Sequence, residues 1–220
     1  MCWTKEVSLI TFIFAIAGSI YLWNRNKPND RWIAISAATI SLIQFAEFLM
    51  WSDLECGKIN RFASIFALIV LAIEPLMNMI GGIYFSNTSN ISILKYMLIA
   101  YLIFIIFTYF LQIYGKQKIF CGTSICTPGN SSLLDGFTKN KSCNLTWFFM
   151  KEINPKIIMI WILFLLMPAL TMVPKYQGLI LFVFGFATLG MASIVNNAAI
   201  GSLWCWFAIG LILYKIAAPN

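Results

Sequence analysis

Histidine is absent from this 220-residue chain and acids are scarce, with 8 Asp and Glu against 15 Lys and Arg and a net charge of +7. Each shortage removes a class of function. Without imidazole there is no Ser-His catalysis. Nor is there the histidine-held zinc of seven-helix membrane hydrolases of the ceramidase and adiponectin-receptor type. Asp30, Asp53 and Asp135 all fall outside the long apolar runs, so the two intramembrane aspartates of an aspartyl protease are missing. A retinal Schiff base needs a lysine in the middle of a seventh helix, and Lys215 stands at the end of the corresponding run. Receptor-type signatures of G-protein-coupled receptors at the ends of helices three and seven are missing as well. What remains is a Glu-only acid–base enzyme as a formal option. The chain is therefore read as a non-enzyme without cofactor or metal.

Charge of either sign is also low. Only 10% of residues are charged and 60% are hydrophobic, against about 25% charged in a soluble domain. A water-soluble fold of this size could not hide that much apolar surface. The composition predicts an all-α integral membrane protein, because a backbone in lipid must satisfy its own hydrogen bonds. Crossing the hydrocarbon takes about 20 helical residues, and seven runs approach that length: 7–23, 32–51, 62–85, 91–114, 157–173, 178–197 and 200–216. Lys5 and Ala15-Ile16-Ala17 give the first run a signal-peptide look, but we read it as a retained first span. The expectation is a single seven-helix bundle, residues 1–220, with one long loop at 115–156. The basic residues sit between apolar runs rather than on a stripe, which argues against nucleic-acid binding.

Arg25, Lys27 and Arg31, then Lys175 and Lys215, fall on one side of this arrangement, which the positive-inside rule makes cytoplasmic. Cys2, Cys56, Cys121, Cys126 and Cys143 fall on the other, as do glycosylation sequons at Asn130, Asn140 and Asn144. The expected topology thus has the N-terminus and the long loop outside and the C-terminus inside. Clustered cysteines on that side suit disulfides drawn from Cys56, Cys121, Cys126 and Cys143. Pro128-Gly129 and Asp135-Gly136 predict a hairpin or cap within the loop. The aromatic run Trp147-Phe148-Phe149 beside Lys151 suits the headgroup belt.

Two glutamates, Glu47 and Glu74, lie within apolar runs, where a charge is costly unless it has a partner, water or a task. Ser36, Ile40, Gln44, Glu47 and Trp51 share one helical face, and Ala63, Ala67, Glu74, Asn78 and Gly81 share another. Pro75 should bend the helix just after Glu74. A third stripe, Gly185, Thr188, Ala192 and Asn196, ends beside Asn197. Together these suggest a polar cavity in the outer half of the bundle, lined by Glu47, Gln44, Asn196 and Asn197, with Glu74 and Asn78 at its floor. A proton or small cation would be its occupant. The plainer alternative is that these groups are interhelical hydrogen-bond glue.

Met1-Cys2-Trp3 before a first span, Gln44-Phe-Ala-Glu47, Glu74-Pro75 and Cys143-Asn-Leu-Thr-Trp147 resemble a family of polytopic membrane proteins of bacteria, algae and large DNA viruses. Relatives often carry Gln-Pro in place of Glu74-Pro75 and a histidine near the position of Asn144. The resemblance implies the fold and, with the Ile-, Asn-, Lys- and Phe-rich bias, a viral origin in a host or virion membrane; it implies no activity. Three roles follow from the residues: a proton or cation channel or transporter, a lipid- or small-ligand-binding sensor, and a structural membrane component. Membrane lipids are the expected partners, and a homo-oligomer would suit the small-residue stripes.

Overall fold

The computed structural model describes residues 4–86, 88, 90–115, 120–127, 142–195, 204 and 206–217. Helix α1 (Lys5–Arg25) starts where the Thr4 hydroxyl accepts a hydrogen bond from the Val7 N–H at 3.3 Å. It stops at Asn26, whose left-handed φ of 52° turns its N–H back onto the Leu22 carbonyl. That is the usual way to satisfy the last carbonyls of a helix. Helix α2 (Asp30–Trp51) and α3 (Lys58–Phe85) follow, packed antiparallel. Asp53 caps α3 by accepting from the N–H groups of Gly57, Ile59 and Asn60 at 3.1–3.2 Å.

Helix α4 (Ile91–Thr108) continues as a π-helical turn, Tyr109–Ile113. Strands β1 (Gly122–Thr127) and β2 (Ser142–Trp147) pair antiparallel, with Gly122 opposite Trp147 and Cys126 opposite Cys143. An antiparallel strand pair thus lies within the long loop; Pro128-Gly129 and Asp135-Gly136, on which the hairpin or cap was expected, lie outside the described residues. A short α5 (Phe148–Glu152) leads into α6 (Pro155–Leu166), which tightens into a 3₁₀ segment, Met167–Thr171. Helices α7 (Lys175–Val195) and α8 (Trp206–Ala217) complete the described chain.

The all-α architecture stands, and its apolar helices suit a membrane protein, but seven spans are not confirmed. All seven apolar runs contain helix, and among the described residues five helices are long and apolar enough to cross a membrane: α1, α2, α3, α4 with its π turn, and α7. The fifth run falls short because Pro168 lies at the start of the 3₁₀ segment, where α-helical pairing ends. The described part of the seventh is the 12-residue α8.

Two apolar cores join the helices. One gathers Ala15 and Leu22 of α1, Trp32 and Ala37 of α2, and residues of α6, α7 and α8. Trp32, fully buried, lies on Gly81 and Gly82 of α3, where an added Cβ would come within 2.8 Å of its ring. Small residues on α3 thus admit a large one from α2. The second core packs Ile43, Ala46 and Met50 of α2 and Ala63, Ala67 and Val70 of α3 under Leu145, Trp147 and Phe149. Trp147 and Phe149 stack with ring centres 5.6 Å apart and are buried there. Trp147 and Phe149 of the aromatic run thus anchor the strand pair to α2 and α3.

Candidate functional site

The polar groups predicted to line one pathway are distributed along the α2–α3 pair. Asn78 is committed to packing. Its Oδ1 accepts from Trp32 Nε1 at 2.7 Å and from Ser36 Oγ at 2.9 Å, and its Nδ2 donates to the Leu165 carbonyl at 2.7 Å. One amide therefore ties α3 to α2 and to α6. These contacts also set the register, placing residue 40 of α2 level with Glu74. At 1.5 Å per residue, Glu47 then lies roughly 10 Å further along the bundle. Both glutamates and Gln44 are buried, Glu47 and Gln44 completely. Asn196 and Asn197 lie outside the described residues.

Pro75 shapes the region beside Glu74. Having no N–H, it leaves the Leu71 carbonyl without its partner inside α3. Trp161 of α6 supplies the missing donor, its Nε1 reaching the Leu71 carbonyl at 2.8 Å, and Tyr101 of α4 donates its hydroxyl to the Ala72 carbonyl at 2.9 Å. Neighbouring helices that complete freed backbone groups are what makes proline tolerable in a membrane helix. Tyr101 is fully buried and close enough to Glu74 to interact with it electrostatically.

Leu71, Ala72 and Trp161 also border a cavity of about 440 Å³. They line it on one side, with Phe104 and Thr108 of α4 opposite, and Phe120, Met150 and Ile153 beneath the hairpin. No residue carrying a formal charge is among its lining. Its mouth is lateral: Ile65 and Ile69 of α3 and Tyr109 of the π turn belong to the lining yet remain 37–51% exposed on the outside of the bundle. The π turn brings both Tyr109 and Ile113 to the wall, and such turns are frequent at functional sites. A second, much smaller cavity of about 30 Å³ touches Ser36 and Asn78. Neither cavity is lined by Glu47, Gln44 or Glu74.

One end of the bundle is fastened by a polar cluster the sequence reading passed over, the other by a disulfide between two of its candidate cysteines. At one end the buried Asp30 carboxylate accepts from Arg25 Nε at 2.7 Å, Arg25 Nη2 at 2.9 Å and the Lys27 N–H at 2.9 Å. Lys215 Nζ, itself buried, stands 3.6 Å away, and Arg25 also donates to the Lys215 carbonyl. Asn29 donates to the Val173 carbonyl and to Gln177, which brings the start of α7 to the same end. At the opposite end a disulfide joins Cys56 to Cys121. Beside it Asn60 exchanges two hydrogen bonds with the Gly122 backbone, at 2.6 and 2.8 Å, as a neighbouring strand would. Cys126 and Cys143 are opposed in the strand register. Among the described residues no group of three acidic or cysteine side chains is arranged to hold a metal.

Comparison with protein-family models, curated proteins and solved structures finds no match to this chain.

Proposed function

We propose that this polytopic membrane protein binds an apolar chain, of the lipid acyl type, in the lateral cavity between α3, α4 and α6. The observation that carries the reading is the cavity itself. Its volume of about 440 Å³ falls within the range of about 300–1,000 Å³ typical of small-molecule sites. Its walls offer hydrocarbon and aromatic surface, and its mouth faces where lipid tails would be. Water gains nothing from such a lining, whereas an apolar chain stays dry there.

The reading is tested by native mass spectrometry of protein purified in mild detergent. Wild type should carry one lipid through detergent exchange. Ala72→Trp, which fills the inner end of the cavity, should lose it. Ile99→Trp, on the exposed face of α4 away from the lining, should retain it. Equal retention by both variants would defeat the proposal.

A second reading, conduction of protons or small cations, is favoured by the burial of Glu74 in mid-helix, since a carboxyl at that depth is costly. In liposomes it requires a proton flux that Glu74→Gln abolishes. Flux unchanged by the substitution removes Glu74 from any such route.

A further inference from the structure

The charge pattern around the cavity mouth narrows the occupant. No formal charge lies on the lining, so a lipid that inserts a tail must leave its headgroup outside. Two segments reach from the wall to the exterior at the disulfide end, and both emerge on cations. Arg61, exposed, stands one helical turn before Ile65 of the lining, on the same face of α3. Lys156, exposed, immediately precedes the lining residues Ile157 and Ile158. Lys151, also exposed, lies between the lining residues Met150 and Ile153. Glu152 is the one acid among these named residues, so the three cations and it sum to a formal charge of plus two, beside Lys58 and the Asp53 carboxylate that caps α3. The first turn of α6 opens at this same end and adds partial positive charge there, whereas that of α3 is already capped by the Asp53 carboxylate.

We infer that the bound chain belongs to an anionic phospholipid, its tail in the cavity and its phosphate at the Arg61–Lys151–Lys156 rim. The inference rests on the apolar-chain reading above and adds the headgroup to it. In the orientation drawn from the sequence, this lipid comes from the extracytoplasmic leaflet. The tail supplies burial and the rim supplies selection, because basic side chains near a membrane surface each favour an anionic lipid.

The test is competition between two lipids with identical dioleoyl tails, phosphatidylglycerol and phosphatidylcholine, at equal mole fraction in nanodiscs. Lipid retained after mild extraction is counted by native mass spectrometry. Wild type should retain phosphatidylglycerol in about tenfold excess or more. The double substitution Lys151→Gln, Lys156→Gln should bring the ratio close to one while total retained lipid stays the same. Both side chains are exposed, so folding is not at stake. Ala72→Trp should lose both lipids together.

Equal retention of the two lipids by wild type would overturn the headgroup assignment and leave the apolar cavity reading standing. Retention of neither would overturn both. A phosphatidylglycerol excess that survives the double lysine substitution would overturn the rim. An excess that survives Ala72→Trp would mean the headgroup is held without a tail in the cavity, and would overturn the inference as well.

Discussion

Asp30 joins three parts of the chain through one carboxylate: the end of α1, the start of α2 and the end of α8. A buried ion pair contributes little net stability compared with an apolar substitute, yet losing one partner is expensive, since a desolvated charge is left behind. Asp30→Asn leaves Arg25 and Lys215 facing each other without an anion. We expect it to cost about 3–5 kcal/mol, read as a lower unfolding temperature in detergent, with part of the loss recovered in Asp30→Asn, Lys215→Met. This cluster was not legible in the sequence. An acid beside Lys27 and Arg31 looks like a solvated loop residue, and 190 positions separate Arg25 from Lys215. Glu47 and Glu74 were conspicuous for the opposite reason, because a carboxyl inside an apolar run contradicts its surroundings. Their burial and their different depths were foreseeable from their positions in the two runs; that neither would line a cavity was not, because it depends on how the neighbouring side chains pack.

Among the elements, α3 shows what a proline in a membrane helix demands of its neighbours. Trp161→Phe keeps the ring and removes the donor, leaving the Leu71 carbonyl unpaired. The expected cost is about 1–3 kcal/mol, measured by unfolding in detergent. Tyr101→Phe should cost less, since Ala72 has the N–H of Leu76 one turn ahead. Helix positions could be read from the sequence because runs of about 20 apolar residues leave few alternatives. The cavity could not. In the most apolar 18-residue stretch of Ile91–Ile113 the mean hydropathy is 2.2 and only 17% of positions are buried; such a helix is apolar on all sides, so no periodicity separates a cavity wall from a lipid-facing side. Pro75 was the one usable clue. It announced a bend, and a bend announces an unpaired carbonyl for which a tryptophan or tyrosine must be found.

The whole molecule is fastened at both ends, by the Asp30 cluster at one and by the hairpin at the other. The Cys56–Cys121 bond closes a loop of 65 residues, for which chain entropy alone would give at most about 4 kcal/mol. Membrane helices confined in a bilayer lose less than that on folding, so Cys121→Ser should destabilise by about 2–4 kcal/mol. Its signature is faster proteolysis of the hairpin, with the helices beneath it still resistant. Asn60 and the stacked Trp147 and Phe149 hold the hairpin in the variant, so its detachment should be partial.

Leu71 and Ala72 hold two offices at once. Their side chains are wall to the cavity, and their carbonyls are the pegs on which Trp161 and Tyr101 hang. Whatever widens or narrows that chamber must therefore tug on both pegs, so crowding at the wall is transmitted to the tilt of three helices through two polar threads.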